Sequence, residues 1–253
     1  MVGSTKSSPV LTSETVSSPR LVVAQQDLVT RQIAPVGFLQ RTDEGYVFSY
    51  LRRVMDMPGF RSLFGFDDIE RRYESPTLFP LFGQRLMNPR RSDYIQYLTV
   101  LGLPEGSPPL VVLGRSGGSR AGDSIVLVPE PNVAEDGRTS AVFFIHGMRY
   151  KPNAASRVAL LREGDVLDLV EDVVNPVNRR ALLVTRAGDE LGWVPDLLLD
   201  YVHHVREVDG MVIRAVRVNG PGVPPNLRVR VKLTGRTPTG YRPFRGEEWS
   251  TFA

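Results

Sequence analysis

The sequence contains no cysteine. That single absence removes disulfides, thiolate zinc sites and a cysteine nucleophile, and it fits a reducing, cytoplasmic setting. No apolar run approaches the roughly 18 residues that a membrane-spanning helix needs, so no membrane partner is expected. The first residues, Met1 to Pro19, are rich in Ser, Thr and Val but lack an apolar signal core. A disordered leader over residues 1–28 is the expectation. Histidine is sparse: His203 and His204 are adjacent near a helix end and project in different directions, and His146 stands alone beside Gly147. Neither arrangement supplies a set of metal ligands. The acidic residues are scattered, without the metal-holding pattern of a nuclease. Neither metal nor cofactor is expected.

What is present is ordinary in amount. The chain has 253 residues, 42% hydrophobic and 23% charged, enough for one large or two small domains with a real core. Net charge is +3, and lysine is nearly absent, so the positive charge is almost all guanidinium. From Met211 onward, Arg214, Arg217, Arg228, Arg230, Lys232, Arg236, Arg242 and Arg245 face only Glu247 and Glu248. Guanidinium suits phosphate contacts and stacking on bases. A genome-wide bias toward arginine codons is the other reading of the same enrichment.

Ile33–Leu39 and Tyr46–Tyr50 read as strands around the turn Thr42-Asp43-Glu44-Gly45, with Tyr46, Phe48 and Tyr50 alternating as in a half-buried strand. Leu51–Leu103 is more helical. Ser92-Asp93 is expected to cap a helix that carries Tyr94, Ile95, Tyr97, Leu98 and Leu101 and ends at Gly102. Leu110–Leu113 and Ser124–Val128 are expected strands around a Gly-rich turn. A boundary is placed in the acidic stretch 129–139. Beyond it come strands at 141–145, 164–169, 181–185 and 190–194, helices at 154–161 and 195–205, and two strands of alternating apolar and basic residues at 211–218 and 227–233.

Gly114-Arg115-Ser116-Gly117-Gly118 matches the pattern of a hydrolase nucleophile elbow, which needs a strand-to-helix turn and a distant His and acid. A strand is expected to follow, so a hairpin turn is preferred. No Lys-Ser or Lys-Thr completes a Walker loop. The chain is expected not to be an enzyme; an unrecognised nuclease is the competing reading.

One ordered set of motifs spans Phe144 to Val205: Gly147-Met148-Arg149-Tyr150, a short helix, Leu161 to Leu167 around Gly164-Asp165, Asn175-Pro176-Val177-Asn178, Ala181 to Val184, and Gly188 to Pro195. This order resembles the HIRAN family. The resemblance implies a small β-barrel related to OB-folds, with two helices, and members that read single-stranded DNA ends, especially a free 3′-hydroxyl. Arg149 would pair with a phosphate. Tyr150 and Trp193 would stack on bases, worth roughly 1–3 kcal/mol each. Asn175 would hydrogen-bond sugar or base, and Pro176 fixes its turn. Lys151 and Asn178 complete the candidate set. The chain departs from the family pattern at Val177, where a second aromatic can occur, at Asn178, where an acid follows, at Trp193, where a His can occur, and at Lys151, where an aromatic can occur. These departures bear on strict 3′-end recognition and leave generic single-strand binding as the expectation. Each residue also has a structural reading: Tyr150 packed on the barrel, Trp193 in the core, Arg149 paired with Asp165 or Glu163, Asn175 a turn-maker.

The first half, through Val36-Gly37-Phe38-Leu39, Tyr46 to Tyr50, Leu78-Phe79-Pro80-Leu81-Phe82, Arg85-Leu86 and Gly117 to Pro129, resembles the amino-terminal subdomain of HipA-type toxin kinases. The kinase itself has no room here. The resemblance implies an accessory unit with Phe79, Phe82, Arg85, Arg90 and Arg91 offered to a protein partner: a kinase, helicase or nuclease. The expectation is therefore an α+β protein, mainly β, with a HipA-like unit over 29–135, a HIRAN unit over 140–210 and a basic extension over 211–253. It would bind single-stranded DNA or DNA ends without catalysis, in repair, defence or a toxin–antitoxin-like system. The alternative is a protein-interaction adaptor.

Overall fold

A computed structural model describes residues 19–252, apart from 119, 121 and 122. The leader residues before 19 and those three positions of the Gly-rich turn therefore lie outside the described residues. In chain order the elements are β1 (Leu21–Gln26), β2 (Ile33–Thr42), β3 (Gly45–Tyr50), β4 (Tyr73–Ser75), α1 (Pro80–Gly83), α2 (Tyr94–Leu101), α3 (Pro109–Ser116), β5 (Ile125–Pro129), β6 (Asn132–Val133), β7 (Arg138–Phe144), α4 (Ala154–Ala159), β8 (Val166–Glu171), β9 (Leu182–Arg186), β10 (Asp189–Trp193), α5 (Leu199–Arg206), β11 (Val212–Val218) and β12 (Val229–Arg236). The fold is mainly β, with antiparallel sheets and short helices, as the sequence predicts at that level. Among the described residues no helix is long and apolar enough to cross a membrane.

The first sheet runs β4-β3-β2-β1-β5. Its centre corrects the leader expectation. Leu21-Val22-Val23-Ala24 is buried throughout, with Leu21 paired to Leu39 on one side and Pro129 on the other. The run is short and continuously apolar, which is how a strand covered on both faces reads. Alternate residues serve different cores. Leu21, Val23, Val36, Leu39, Ile125 and Leu127 face one cluster, while Val22, Phe38 and Val128 face another that continues into the second half of the chain. The same double cover explains why Tyr46–Tyr50 is buried at every position rather than at every second one. The Tyr50 hydroxyl, buried, accepts from Leu63 N at 2.6 Å and donates to Phe66 O at 2.9 Å, tying down the irregular segment after β3.

Further expectations fail in this half. Leu110–Leu113 is helical, not a strand: prolines at 108 and 109 open α3, all four residues are buried, and Gly117 closes it in the left-handed region. Short apolar runs do not declare their type by periodicity. Ser116 thus ends a helix, the reverse of a nucleophile elbow, and its hydroxyl donates to Leu113 O. Phe82 and Arg85 are buried, not offered to a partner. Phe82 sits among Phe48, Phe66 and Phe79, because residues three apart on a short turn share a face. Arg85 donates to Leu81 O at 3.0 Å and pairs with Asp123. Phe79 is half-buried against Phe66. Arg90 and Arg91 are exposed, and Arg91 is paired with Asp93 at 2.8 Å. The α2 helix starts and ends where expected, with Gly102 at its left-handed end, but Asp93 makes no cap.

The second sheet runs β10-β9-β8-β11-β12-β7-β6. It curls until its far strands meet. His146, just past β7, exchanges both backbone hydrogen bonds with Trp193 of β10, each 2.9 Å. Residues 211–253 are no extension. Strands β11 and β12 lie in the middle of this sheet, β12 pairing with β7 from Arg230↔Phe144 to Arg236↔Arg138. The last residues return to the first sheet, where Thr251 bridges Leu51, Phe252 is buried in the first core, and Trp249 packs on Phe38 and Phe244. Replacing Phe252 with Ala is expected to cost about 3 kcal/mol of stability. A urea midpoint unchanged by Phe252→Ala would show that this return does not hold the core.

Candidate nucleic-acid interface

The candidate residues gather at the closure of the second sheet. Gly147 adopts φ +68°, a conformation that favours glycine, and starts a single 3-10 turn, Met148–Tyr150. A Cβ there would sit 2.5 Å from Cε3 of Trp193, so the turn lies directly against the indole. Met148 points into the core, which leaves Arg149 and Tyr150 on the outside.

Two cation–aromatic pairs result. Arg149 lies over the Tyr150 ring at 4.7 Å and donates to its hydroxyl at 2.5 Å. Tyr150 stays 62% exposed, so it is not packed on the barrel. Arg149 does not pair with Asp165, which instead binds Arg186 at 3.0 Å. Lys151 lies over the half-buried Trp193 ring at 4.0 Å and is paired with Glu190 at 2.9 Å. The indole Nε1 donates to Asp172 at 2.8 Å. Trp193 is therefore held at its edge and covered on its face; a base would have to displace Lys151 to stack there.

Asn175 joins the same network as the turn-maker. Its amide donates to Asp172 at 3.1 Å, and its carbonyl oxygen accepts from Val177 N and Asn178 N at 3.0 and 3.1 Å. Such side-chain closure of a turn is what an Asn before Pro does well. The Asn178 side chain accepts from Arg180 N at 2.9 Å and bonds the Asp196 carboxyl, which burial raises above the usual carboxylate range. The structure thus brings Lys151, Asn175 and Trp193 together through Asp172 and Glu190, with Arg149 and Tyr150 on the adjoining turn. Sequence reasoning missed both acids. Asp172, three residues before Asn175, carried the signal of a polar loop anchor but no chemistry of its own. The same loop carries exposed Val173, Val174 and Val177, beside exposed Val170. Among the described residues no group of three or more His, Asp or Glu is placed to hold a metal ion.

No family model matches the chain, and no curated protein matches it. Among solved structures, the HIRAN domain of human HLTF aligns over 40% of this chain and 77% of its own length, at 15% identity and a TM-score of 0.29. At that score the likeness carries no argument.

His146 marks the seam electrostatically. Burial pushes its imidazole down to about 4 from an ordinary 6.5. The folded state therefore favours the neutral ring. Its contribution is fully present above pH 6.5 and is lost as pH falls toward 4. The residue as a whole is only half-buried, and the loss is on the order of 2 kcal/mol. Thermal midpoints of the parent and of His146→Gln, measured from pH 7 to 4, should converge as pH falls; parallel curves would remove His146 from the account.

Proposed function

We propose that the chain binds single-stranded nucleic acid at the closure of the second sheet, with Arg149 and Tyr150 as the contact and the Lys151–Trp193–Asp172–Asn175 network as its frame. The observation that carries this reading is the exposed Arg149–Tyr150 pair. A large aromatic ring left 62% in water, with a guanidinium on it that has no carboxylate partner among the described residues, is a stacking surface joined to a phosphate ligand. Tyr150 takes a base; Arg149 swings from the tyrosine hydroxyl to the backbone phosphate. Stacking is tolerant of sequence, so the expected specificity is for unpaired bases rather than for a motif. The role is binding, not catalysis, and any enzyme that acts on the nucleic acid is a separate chain.

A second reading is favoured by a different observation. Val170, Val173, Val174 and Val177 form an exposed apolar strip beside the platform, of the kind that marks protein contact. On that reading the chain is an adaptor for a protein partner such as a kinase, helicase or nuclease.

Fluorescence anisotropy with labelled single-stranded DNA, at two salt concentrations, separates the two. Nucleic-acid binding predicts salt-sensitive affinity that Arg149→Ala/Tyr150→Ala weakens by about 2–4 kcal/mol, one stacked base and one phosphate contact. A blocked 3′-hydroxyl tests end recognition in the same assay. Affinity untouched by the double variant would remove the platform and leave the valine strip as the better candidate.

A further inference from the structure

A second cluster of guanidinium groups lies where α2 and α3 meet the second sheet. Arg230 on β12 pairs in register with Arg217 on β11 and with Phe144 on β7. Its side chain is 9% exposed and reaches across to the end of α2, where it donates to Leu101 O. Gly102 has no Cβ to block that approach. Beside it, the Asn219 amide donates to Val100 O at 3.0 Å and to Leu227 O at 2.7 Å, and Arg217 donates to the Asn219 carbonyl oxygen at 3.3 Å. Arg115 approaches from α3. It stands one turn beyond Val112, which packs with Leu101 and Phe144 in one small apolar cluster.

The charges here do not balance. Arg230 Nε is buried without a partner. Among the described residues, none of Arg115, Arg217 or Arg230 has a carboxylate within ion-pair distance, while Arg115 and Arg217 both act on Arg230 as like charges. Glu163, which is exposed, acts on Arg230 as an opposite charge. Burial depresses the Arg115 and Arg230 guanidinium groups, Arg230 to about 10, yet both stay charged at neutral pH. Three like charges gathered at a half-buried seam oppose folding unless an anion joins them.

We propose that Arg115, Arg217 and Arg230 form a phosphate-binding site, distinct from the Arg149–Tyr150 platform, that takes a phosphate group as its missing counterion. Arg115 and Arg217, both half-exposed, present the donors; Arg230 stands behind them as fixed charge and holds α2 in place. The phosphate has two possible sources, a free phosphate or the backbone of a bound nucleic acid. The turn Pro225–Leu227 touches both the Met148–Tyr150 turn and Asn219, so the cluster and the platform border one stretch of surface.

The first probe is inorganic phosphate, titrated calorimetrically into the full chain at constant ionic strength against chloride. Arg115→Gln is the main variant, since Arg115 takes no part in the α2 cap; Glu163→Gln is its counterpart. Phosphate should bind the parent and raise its thermal midpoint. Arg115→Gln should weaken that binding about tenfold, with no loss of midpoint in chloride, and Glu163→Gln should strengthen it. Phosphate binding should survive Arg149→Ala/Tyr150→Ala, which keeps this site's failure separate from the platform's. In the single-stranded DNA assay, a salt slope reduced by about one in Arg115→Gln assigns the site to backbone phosphate. An unchanged slope assigns it to free phosphate. No phosphate binding by the parent, or equal binding by Arg115→Gln, overturns the proposal.

Discussion

The second half of the molecule depends on one backbone exchange, the pair of 2.9 Å hydrogen bonds between His146 and Trp193. Without it the sheet would end in two open edges, at β10 and past β7, each with unpaired donors and acceptors. With it the strands curl around a shared core that runs from Phe143 and Ile145 through Val184 and Leu191 to Val231. Closure makes demands on the local sequence. Gly192 lies so near His146 O that a Cβ would collide with it, and Gly147 must turn the chain aside under the Trp193 ring. These two glycines are consequences of the seam, and they leave the turn from Met148 to Tyr150 projecting from it.

The two halves share a core. Val22, Phe38, Leu51 and Val128 of the first sheet belong to the core of the second. The end of α2 is capped not by its own sequence but by Asn219 and Arg230 of the other half, which satisfy carbonyls that a helix end leaves free. The last residues then cross back to cover the first sheet. A chain that leaves its first sheet after β5 and returns to it at Thr251 and Phe252 does not divide at the acidic stretch into units with separate cores.

Much of this was legible in the sequence, and the failures share a cause. The strands of the second half, the α2 helix with Gly102 at its end, and the hairpin at Thr42–Gly45 follow from periodicity and turn chemistry, which are local. So does the Asn175 turn. Leu110–Leu113 departs from expectation because a run of four buried apolar residues is the same text in a central strand and in a wedged helix; Leu21–Ala24 departs because it directly follows a Ser- and Thr-rich stretch that reads as leader. Arg85 was misread because charge predicts exposure until a carboxylate such as Asp123 meets it inside. For the candidate site, the sequence pointed to the right stretch of chain. It could not show that Asp172 and Glu190 would fold onto Trp193 and Lys151, since those partners lie about twenty and forty residues away along the chain.

That pairing decides which half of the site is open. Two cations that are close in sequence, Arg149 and Lys151, each lie on an aromatic ring, and by residue type the pairs look equivalent. Lys151 is neutralised by Glu190, and Trp193 is pinned at its nitrogen by Asp172, so this pair has its charge and its polar edge satisfied within the fold. Among the described residues, Arg149 is matched to the neutral hydroxyl and ring of Tyr150 and to no acid. A guanidinium matched to a phenol keeps its full charge and loses little by trading that contact for a phosphate, because a charge-assisted bond is stronger than a bond to a neutral acceptor. An ammonium leaving a carboxylate has no such gain. The same test, applied across the molecule, separates Arg91, Arg138 and Arg157, each matched to an acid, from Arg115 and Arg217, which are not. In a chain whose cations are nearly all arginine, the acid partner rather than the arginine itself distinguishes a structural charge from one held ready for a ligand.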